Sequence, residues 1–376
     1  MKTDRYARQI ILPEIGPEGQ QRFAQTKLLY IGVGGLGSPA LLYSAAAGIG
    51  TIGIVDRDKV DITNLHRQII FTEADKDRPK VVVAKEKLLA INPNIKVNIY
   101  EEYFAASNAI QIMQNYDIIV DGTDNFASKF LINDCAVKLS KPVVYASVLG
   151  FDGQLSVFDA NQGACYRCLY KEPPSLYVPN CAEAGVLGAV VGMLGTAQAV
   201  EILKLALGPD ICQRHDLIPL VNQLWQLDAK SMAVKILKIS KNSNCPVCSI
   251  AKNDIILNDL SQNCADDSEI KSLTRAEIPS NHNLLIIDVR QQHEWDSGHI
   301  DGAVHIPLAR ILDHPDEIKE LAKSTPLLIY CQHGIRSLTA AKFLKTLGFI
   351  SVANLKGGLV AWDGIISNPS GATEWA

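Results

Sequence analysis

Nine cysteines in 376 residues raise the first chemical question, because their spacing sorts them into different uses. Cys165 and Cys168 form "CYRC", and Cys245 and Cys248 form "CPVC". Two C-x-x-C pairs have the spacing of a tetrahedral zinc site with four thiolate ligands, which leaves no open position and is therefore structural. A redox dithiol is the rival reading of the same pairs. Cys331 stands apart in "IYCQHGIRS", between an apolar run and a helical pattern. Loop N–H groups and a helix N-terminus there can stabilise an anionic sulfur, and a persulfide is such an anion. Gly334 permits the tight curl this needs, Arg336 adds a positive charge, and His333 reads as a solvent-facing loop residue. Cys181, in "YVPNCAEAGVLG", precedes a long apolar stretch whose helical terminus favours a thiolate. Cys135 reads as core packing, while Cys212 and Cys264 have no supporting context.

A second cluster surrounds "YIGVGGLGS", where Gly32, Gly34 and Gly37 make a GxGxxG pattern between a strand and a helix. Free backbone N–H groups at such a turn hold phosphate. Asp56 ends the next strand, where an acidic residue bonds a ribose hydroxyl, and so far NAD fits equally well. Three segments break the tie. "NLHRQIIF" supplies Arg67, "DRPKVVVAKEKL" supplies Lys80 at a helix start, and "DGTDNFASK" supplies Asp121 and Asp124 at a strand end. Singly, each cation reads as a solvated surface charge. Together with the carboxylates they suit a triphosphate with magnesium, because nucleotidyl transfer depends on neutralising charge on phosphate oxygens.

The elements that must position these groups follow from periodicity. Between residues 27 and 150, short apolar runs alternate with helical patterns, which predicts a mostly parallel, doubly wound α/β sheet of the Rossmann type with its site at the strand ends. Residues 249–268 are polar and aperiodic and read as a linker spanning roughly 20–25 Å as coil. From residue 269 a second, smaller α/β pattern begins, with strands "LLIIDV" and "LLIYC" and the helix "SLTAAKFLKTLG". The expected division is thus 1–248, 249–268 and 269–376. Apolar residues at 47%, charged residues at 20% and a net charge of −4 describe a globular chain with no basic surface for nucleic acid. The first twenty residues do not read as a signal peptide, and no run reads as long enough to cross a bilayer. "AGVLGAVVGMLGTAQAVEILKLALG" is interrupted by Gly188, Gly192 and Gly195 and reads as a buried helix. A cytoplasmic protein without nucleic-acid or membrane partners is expected.

"RYARQI", "GVGGLGS", "DITNLHRQ", "RPKV", "DGTDN" and "CAEAGVLG", in this order over residues 4 to about 248, resemble the activating-enzyme family of MoeB and ThiF, relatives of the ubiquitin-activating enzymes. The resemblance implies that Gly32, Gly34, Gly35 and Gly37 cradle ATP, and that Asp56 holds the ribose. It further implies that Asn64, Arg67 and Lys80 contact phosphates, that Asp124 organises magnesium, and that the four paired cysteines bind zinc. Arg8 then reaches into a partner subunit's nucleotide site, which makes the protein a homodimer, and Cys181 is the reactive cysteine. "IIDVRQQHEWDSGHIDGAVHIPLARI", "IYCQHGIRS" and "LKGGLVAWDG" resemble a rhodanese domain with Cys331 as its sulfur-carrying residue. Jointly the two resemblances imply adenylation of a ubiquitin-like sulfur carrier protein of the MoaD or ThiS type, followed by thiocarboxylate formation. Sulfur would come from a donor such as a cysteine desulfurase or thiosulfate, for molybdopterin, thiamine or a related pathway. A nicotinamide-dependent oxidoreductase fused to a sulfurtransferase, or a non-enzymatic carrier-binding scaffold, are the competing readings.

Overall fold

Strands of five to seven residues dominate the first half of the chain, and alternate residues on them bury toward opposite faces. The structure, a computed structural model, describes residues 3–173, 185–259, 270–278, 284–314, 325–367 and 373–375. It divides into two compact units; among the described residues the first holds 3–173 and 185–259, and the second begins at residue 270. Strands β1 (Lys27–Ile31), β2 (Thr51–Val55), β3 (Lys96–Tyr100), β4 (Ile118–Asp121) and β5 (Val143–Leu149) pair in parallel. β6 (Asp152–Phe158), β7 (Gln223–Asp228) and β8 (Ala233–Lys238) extend the sheet antiparallel, giving the order β3-β2-β1-β4-β5-β6-β7-β8. On β1, Leu28 and Tyr30 join one hydrophobic cluster and Leu29 and Ile31 the other. Burial on both faces is what a parallel sheet requires of its central strands. The chain order reverses between β1 and β4, so the strand-end crevice there is the expected ligand position.

The stretch with three interior glycines forms one unbroken helix, Gly188–Leu207. By length and apolar composition alone it is long enough to cross a bilayer, contrary to the sequence expectation, and 56% of its most apolar window is buried inside the protein. None of its glycines breaks it, and two of them, Gly188 and Gly195, are close-packing positions, while Gly192 meets no neighbour. A Cβ on Gly188 would lie 2.1 Å from the His66 carbonyl oxygen, and one on Gly195 would lie 2.4 Å from that of Leu36. The helix therefore sits close against the segments that carry Arg67 and the glycine loop.

Residues 249–259, assigned by sequence to a free linker, pack on the first unit. Lys138 Nζ donates to the carbonyls of Lys252, Asn253 and Ile255 at 2.9–3.3 Å. Ile255 is buried beside Val137, Cys165 and Cys245, and the Ala106 N–H donates to Asp259 at 2.7 Å. Polar composition concealed this docking because the contacts run mainly through backbone carbonyls. The rest of the expected linker, 260–268 with Cys264, lies outside the described residues.

In the second unit, β9 (Lys271–Leu273), β10 (Leu285–Asp288), β12 (Val304–His305), β13 (Leu327–Tyr330) and β14 (Val352–Leu355) form a parallel sheet ordered β12-β10-β13-β14-β9. β11 (His299–Ile300), β15 (Ile365–Ser367) and β16 (Thr373–Trp375) make a small antiparallel sheet. On β13, Leu327 and Ile329 belong to one cluster and Leu328 and Tyr330 to another, so Cys331 leaves the buried centre of this sheet.

One buried ion pair secures the end of β4. Lys129 Nζ lies 3.0 Å from Asp121 Oδ2, with both side chains at least nineteen-twentieths buried. It also donates to the carbonyls of Thr123 at 2.9 Å and Ala146 at 3.1 Å. Removing one partner of such a pair strands the other charge. Lys129→Met should lower the unfolding free energy of the first unit by about 3–5 kcal/mol. In denaturant unfolding of the full chain, the transition of the second unit should stay in place.

Candidate nucleotide and sulfur sites

The glycine loop begins where β1 ends. Gly32 has φ +91°, in the left-handed region open to glycine, and a Cβ on it would lie 2.8 Å from the Gly122 carbonyl oxygen. Reciprocally, a Cβ on Gly122 would lie 2.5 Å from the Gly32 carbonyl oxygen. The loop of "GVGGLGS" and the loop of "DGTDN" therefore touch backbone to backbone. Gly35 meets the Arg67 side-chain stem, with a Cβ position 3.4 Å from Arg67 Cγ. Gly37 opens the helix Gly37–Ala47, whose positive dipole end faces the crevice.

Asp56 is fixed by this loop and by its own. Oδ2 accepts from the Val33 N–H and Oδ1 from the Asp58 N–H, both at 2.8 Å. Each oxygen retains a lone pair for a further donor. Burial pushes the carboxyl above its ordinary value, against the pull of the neighbouring Lys80 ammonium. Lys80, buried at the start of the helix Lys80–Ile91, holds Asp58 at 3.1 Å. Asn64 closes a short turn capped by Asp61 and accepts from Arg67 Nη2 at 2.6 Å. Arg67 also contacts the Thr63 carbonyl at 3.3 Å and His66 Nε2 at 2.7 Å. Among the described residues Arg67 pairs with no carboxylate, so its charge is available to an anion. Gly32, Gly34, Gly35, Gly37, Asp56, Asn64, Arg67 and Lys80 are thus linked around one loop through successive contacts.

The two aspartates of "DGTDN" separate. Asp124 is exposed. Asp121, expected beside it, instead accepts from Thr123 N–H and Oγ1–H at 2.9 and 2.7 Å and pairs with Lys129. Its oxygens are thus engaged in building the turn. Lys129 carried no signal in the sequence, because a lysine inside a helical pattern reads as a surface charge.

Arg8 is not at this site within its own chain. Tyr6 accepts from Asn92 Nδ2 at 2.8 Å, and Gln9 Nε2 donates to Gln20 and to the Ala47 carbonyl at 2.6 and 3.1 Å. These anchors place "RYARQI" beside Ala47, the end of helix Gly37–Ala47 away from the glycine loop. Eleven residues of helix span about 16 Å. Arg8 is exposed and has no side-chain hydrogen bond or ion pair among the described residues. Cys181 lies outside the described residues.

Cys165, Cys168, Cys245 and Cys248 converge, with all four Sγ atoms within 4.8 Å of one another. The closest pairs stand at 3.4, 3.5 and 3.9 Å, far beyond a disulfide bond of about 2.05 Å. A tetrahedral ion with Zn–S bonds of about 2.3 Å has S···S edges of about 3.8 Å, so the cluster is compatible with zinc. Burial first, and then the neighbouring sulfurs, raise the Cys165 thiol above its ordinary value, and burial pushes Cys248 up to about 12. Four thiolates at this spacing need a cation. Asn242 and Cys248 N–H groups donate to Cys168 and Cys245 at 3.4 and 3.5 Å, orienting the sulfurs.

Cys331 is buried directly after β13. Its Sγ accepts from the Gly334 N–H at 3.2 Å and from the Ser337 hydroxyl at 3.4 Å. Gly334 adopts φ +87°, which turns that N–H inward, and the helix Ile335–Thr346 follows. The positive charge that the sequence assigns to Arg336 is already matched. Its two terminal nitrogens meet the Glu294 oxygens at 2.7 Å each. Burial alone would raise the Glu294 carboxyl, but the hydrogen bond and charge of Arg336 outweigh it and hold the group below its ordinary value. A second buried guanidinium, Arg290, braces the loop from outside. It pairs with Asp288 at 2.7 Å and donates to Gln332 Oε1 at 3.2 Å. His333 is exposed.

Residues 6–247 match the model of the ThiF family, and residues 273–364 match that of the rhodanese-like domain. The chain is 40% identical to the probable adenylyltransferase/sulfurtransferase MoeZ of Mycobacterium tuberculosis, over 95% of this chain and 92% of that protein. It is 38% identical to the adenylyltransferase and sulfurtransferase MOCS3 of Arabidopsis thaliana, over 95% and 82%. It is 43% identical to a sulfur carrier protein adenylyltransferase of Thermus thermophilus, over 66% of this chain and 91% of that one. The crystal structure of E. coli MccB with MccA-N7isoASN shares the fold, with a TM-score of 0.58 at 20% identity over 66% of this chain and 75% of that one.

The cysteine cluster makes a prediction independent of the ion's identity. Cys245→Ser should weaken metal binding and release the tail that follows, since Cys245, Val247 and Ile255 share one small core. Limited proteolysis should then cut within 241–259, where the unsubstituted protein resists.

Proposed function

We propose, from a chain that belongs to the ThiF family and carries a rhodanese-like domain, that it adenylates a sulfur carrier protein and supplies the sulfur itself. The protein is an adenylyltransferase and sulfurtransferase. The observation that carries the reading is the presence, in one chain, of a glycine loop that opens a helix beside Arg67, which among the described residues pairs with no carboxylate, and of a sulfur that accepts from the donors of a tight loop. The alternative of a nicotinamide-dependent oxidoreductase finds no support.

In the first step a C-terminal glycine carboxylate of a ubiquitin-like carrier, of the MoaD or ThiS type, attacks the α-phosphorus of ATP, and pyrophosphate leaves. Arg67, Asn64 and Lys80 bind phosphate oxygens and offset the charge developing there. Asp56 orients the nucleotide through its ribose. Asp124 would hold magnesium, which would supply further charge neutralisation. Arg8 serves the nucleotide site of the second subunit of a homodimer, a reading supported by its exposure and its distance from its own glycine loop. Cys165, Cys168, Cys245 and Cys248 would hold zinc, which would fasten the end of the first unit.

In the second step the terminal sulfur of a Cys331 persulfide attacks the acyl carbon. The bond to AMP breaks with its electron pair on the phosphate oxygen, leaving an acyl disulfide. A thiol then attacks Cys331 Sγ, and the S–S electron pair departs on the carrier as a thiocarboxylate. Cys181 provides that thiol, or alternatively holds the acyl group as a thioester. When Cys181 is that thiol, the Cys181–Cys331 disulfide it leaves is reduced by an external dithiol, itself oxidised to a disulfide, and the freed Cys331 thiolate is then reloaded by a donor such as a cysteine desulfurase or thiosulfate. The sequence reading extends the role to a cytoplasmic supply of sulfur for molybdopterin, thiamine or a related pathway.

Asp124→Ala should abolish carrier-dependent pyrophosphate exchange while leaving one zinc per chain by metal analysis; undiminished exchange would remove the magnesium assignment. Cys331→Ala should exchange pyrophosphate normally yet form no thiocarboxylate, as read by mass spectrometry of the carrier. Mixing Arg8→Ala with Asp124→Ala chains, with subunit exchange verified, should restore part of the exchange activity. Absence of recovery would count against the crossed arginine.

A further inference from the structure

Three features of the second unit bear on how Cys331 becomes reactive. Its Sγ is buried in a protein interior, where an anion is costly unless something donates to it. The arginine of its loop is engaged by Glu294 at two points. The remaining donors on Sγ among the described residues are the Gly334 N–H and the Ser337 hydroxyl. Ser337 is completely buried on the first turn of the helix Ile335–Thr346. A buried hydroxyl is retained where it has a partner, and the partner here is the reacting sulfur.

We propose that Ser337 is a catalytic residue of sulfur transfer, its hydroxyl donating to Cys331 Sγ whenever that atom carries negative charge. During loading, the Cys331 thiolate attacks the outer sulfur of a persulfide or thiosulfate donor. A new S–S bond forms at Sγ, the donor's S–S bond breaks, and its electron pair leaves on the donor, as a thiolate or sulfite. During discharge to a nucleophile that attacks the outer sulfur, the reverse holds: the S–S bond breaks and its pair returns to Sγ. Ser337 favours the thiolate in both directions, as the form that attacks and as the group that leaves. The donation is neutral, so it stabilises the anion less than an ion pair would and leaves the sulfur more of its nucleophilicity.

The proposal rests on the sulfurtransferase reading for its biological meaning, but the test does not. Losing one hydrogen bond to a charged group corresponds to about a tenfold loss of thiolate. Greater nucleophilicity of the remaining thiolate recovers about half of that on a logarithmic scale, leaving a net slowing of about threefold. On the rising limb of the pH–rate profile, full-length Ser337→Ala should therefore be alkylated by iodoacetamide at Cys331 about threefold more slowly, followed peptide by peptide in a mass spectrometer. Discharge of the loaded persulfide to cyanide should slow by at least as much. Ser337→Thr, which keeps the hydroxyl, should stay close to the unsubstituted rates, and carrier-dependent pyrophosphate exchange should be unchanged in both. Unaltered alkylation in Ser337→Ala, or equal slowing in Ala and Thr variants, would overturn the proposal. Failure of the unsubstituted protein to load sulfur at all would sink the sulfurtransferase reading instead, while the alkylation rates still report on Ser337.

Discussion

The backbone contact between Gly32 and Gly122 is the constraint on which the nucleotide site depends. With a Cβ on either residue less than 3 Å from the other's carbonyl, any side chain would drive β1 and β4 apart at their carboxyl ends. That approach brings "GVGGLGS" and "DGTDN" to one crevice, and the chain reversal between β1 and β4 opens the crevice. The buried Lys129–Asp121 pair then fixes the loop from beneath, since Lys129 also bonds the Thr123 and Ala146 carbonyls. Asp121 is committed to structure so that Asp124, three residues on, can face outward.

The two units meet negative charge in different ways, and their chemistry explains the difference. A triphosphate carries several charges that increase on the departing pyrophosphate, so fixed cations outside ion pairs lower the barrier. In the proposed adenylation Arg67 would be such a cation; it is held by Asn64 and the Thr63 carbonyl and, among the described residues, by no carboxylate. A persulfide carries one charge on a polarisable sulfur that must still attack. There Arg290 and Arg336 are both closed into pairs with Asp288 and Glu294, and the sulfur meets an N–H and a hydroxyl.

Much of this was legible in the sequence because motif residues act through local backbone geometry. The five parallel strands, the four-cysteine cluster and the left-handed turn at Gly334 follow from alternation, spacing and residue type. What escaped depends on long-range partners. Arg336 displays its charge in the sequence, but Glu294 lies 42 residues earlier, and nothing local announces the pair. Lys129 gave no sign in the sequence because its burial depends on acceptors from two segments, Asp121 and Thr123 in one stretch and Ala146 on β5. Glycines within Gly188–Leu207 looked like interruptions because close approach to the His66 and Leu36 carbonyls is invisible without the fold. Residues 249–259 looked free because carbonyls, not side chains, hold them to Lys138.

The engagement of Arg336 has a further consequence for the loop itself. A cation paired directly with a thiolate stabilises the resting anion more than a transition state in which that charge is dispersed. Stabilisation of that kind lowers the ground state without lowering the barrier equally. By taking up Arg336 at two points, Glu294 leaves the arginine to do what its planar fork does well, which is to fix geometry. The loop is then held at Gln332 by Arg290, at Gly334 by Asn354, whose Nδ2 donates to its carbonyl at 3.1 Å, and at Arg336 by Glu294. A sulfur inside a loop so constrained finds its donors already aimed, and no reorganisation accompanies the movement of charge onto or away from it.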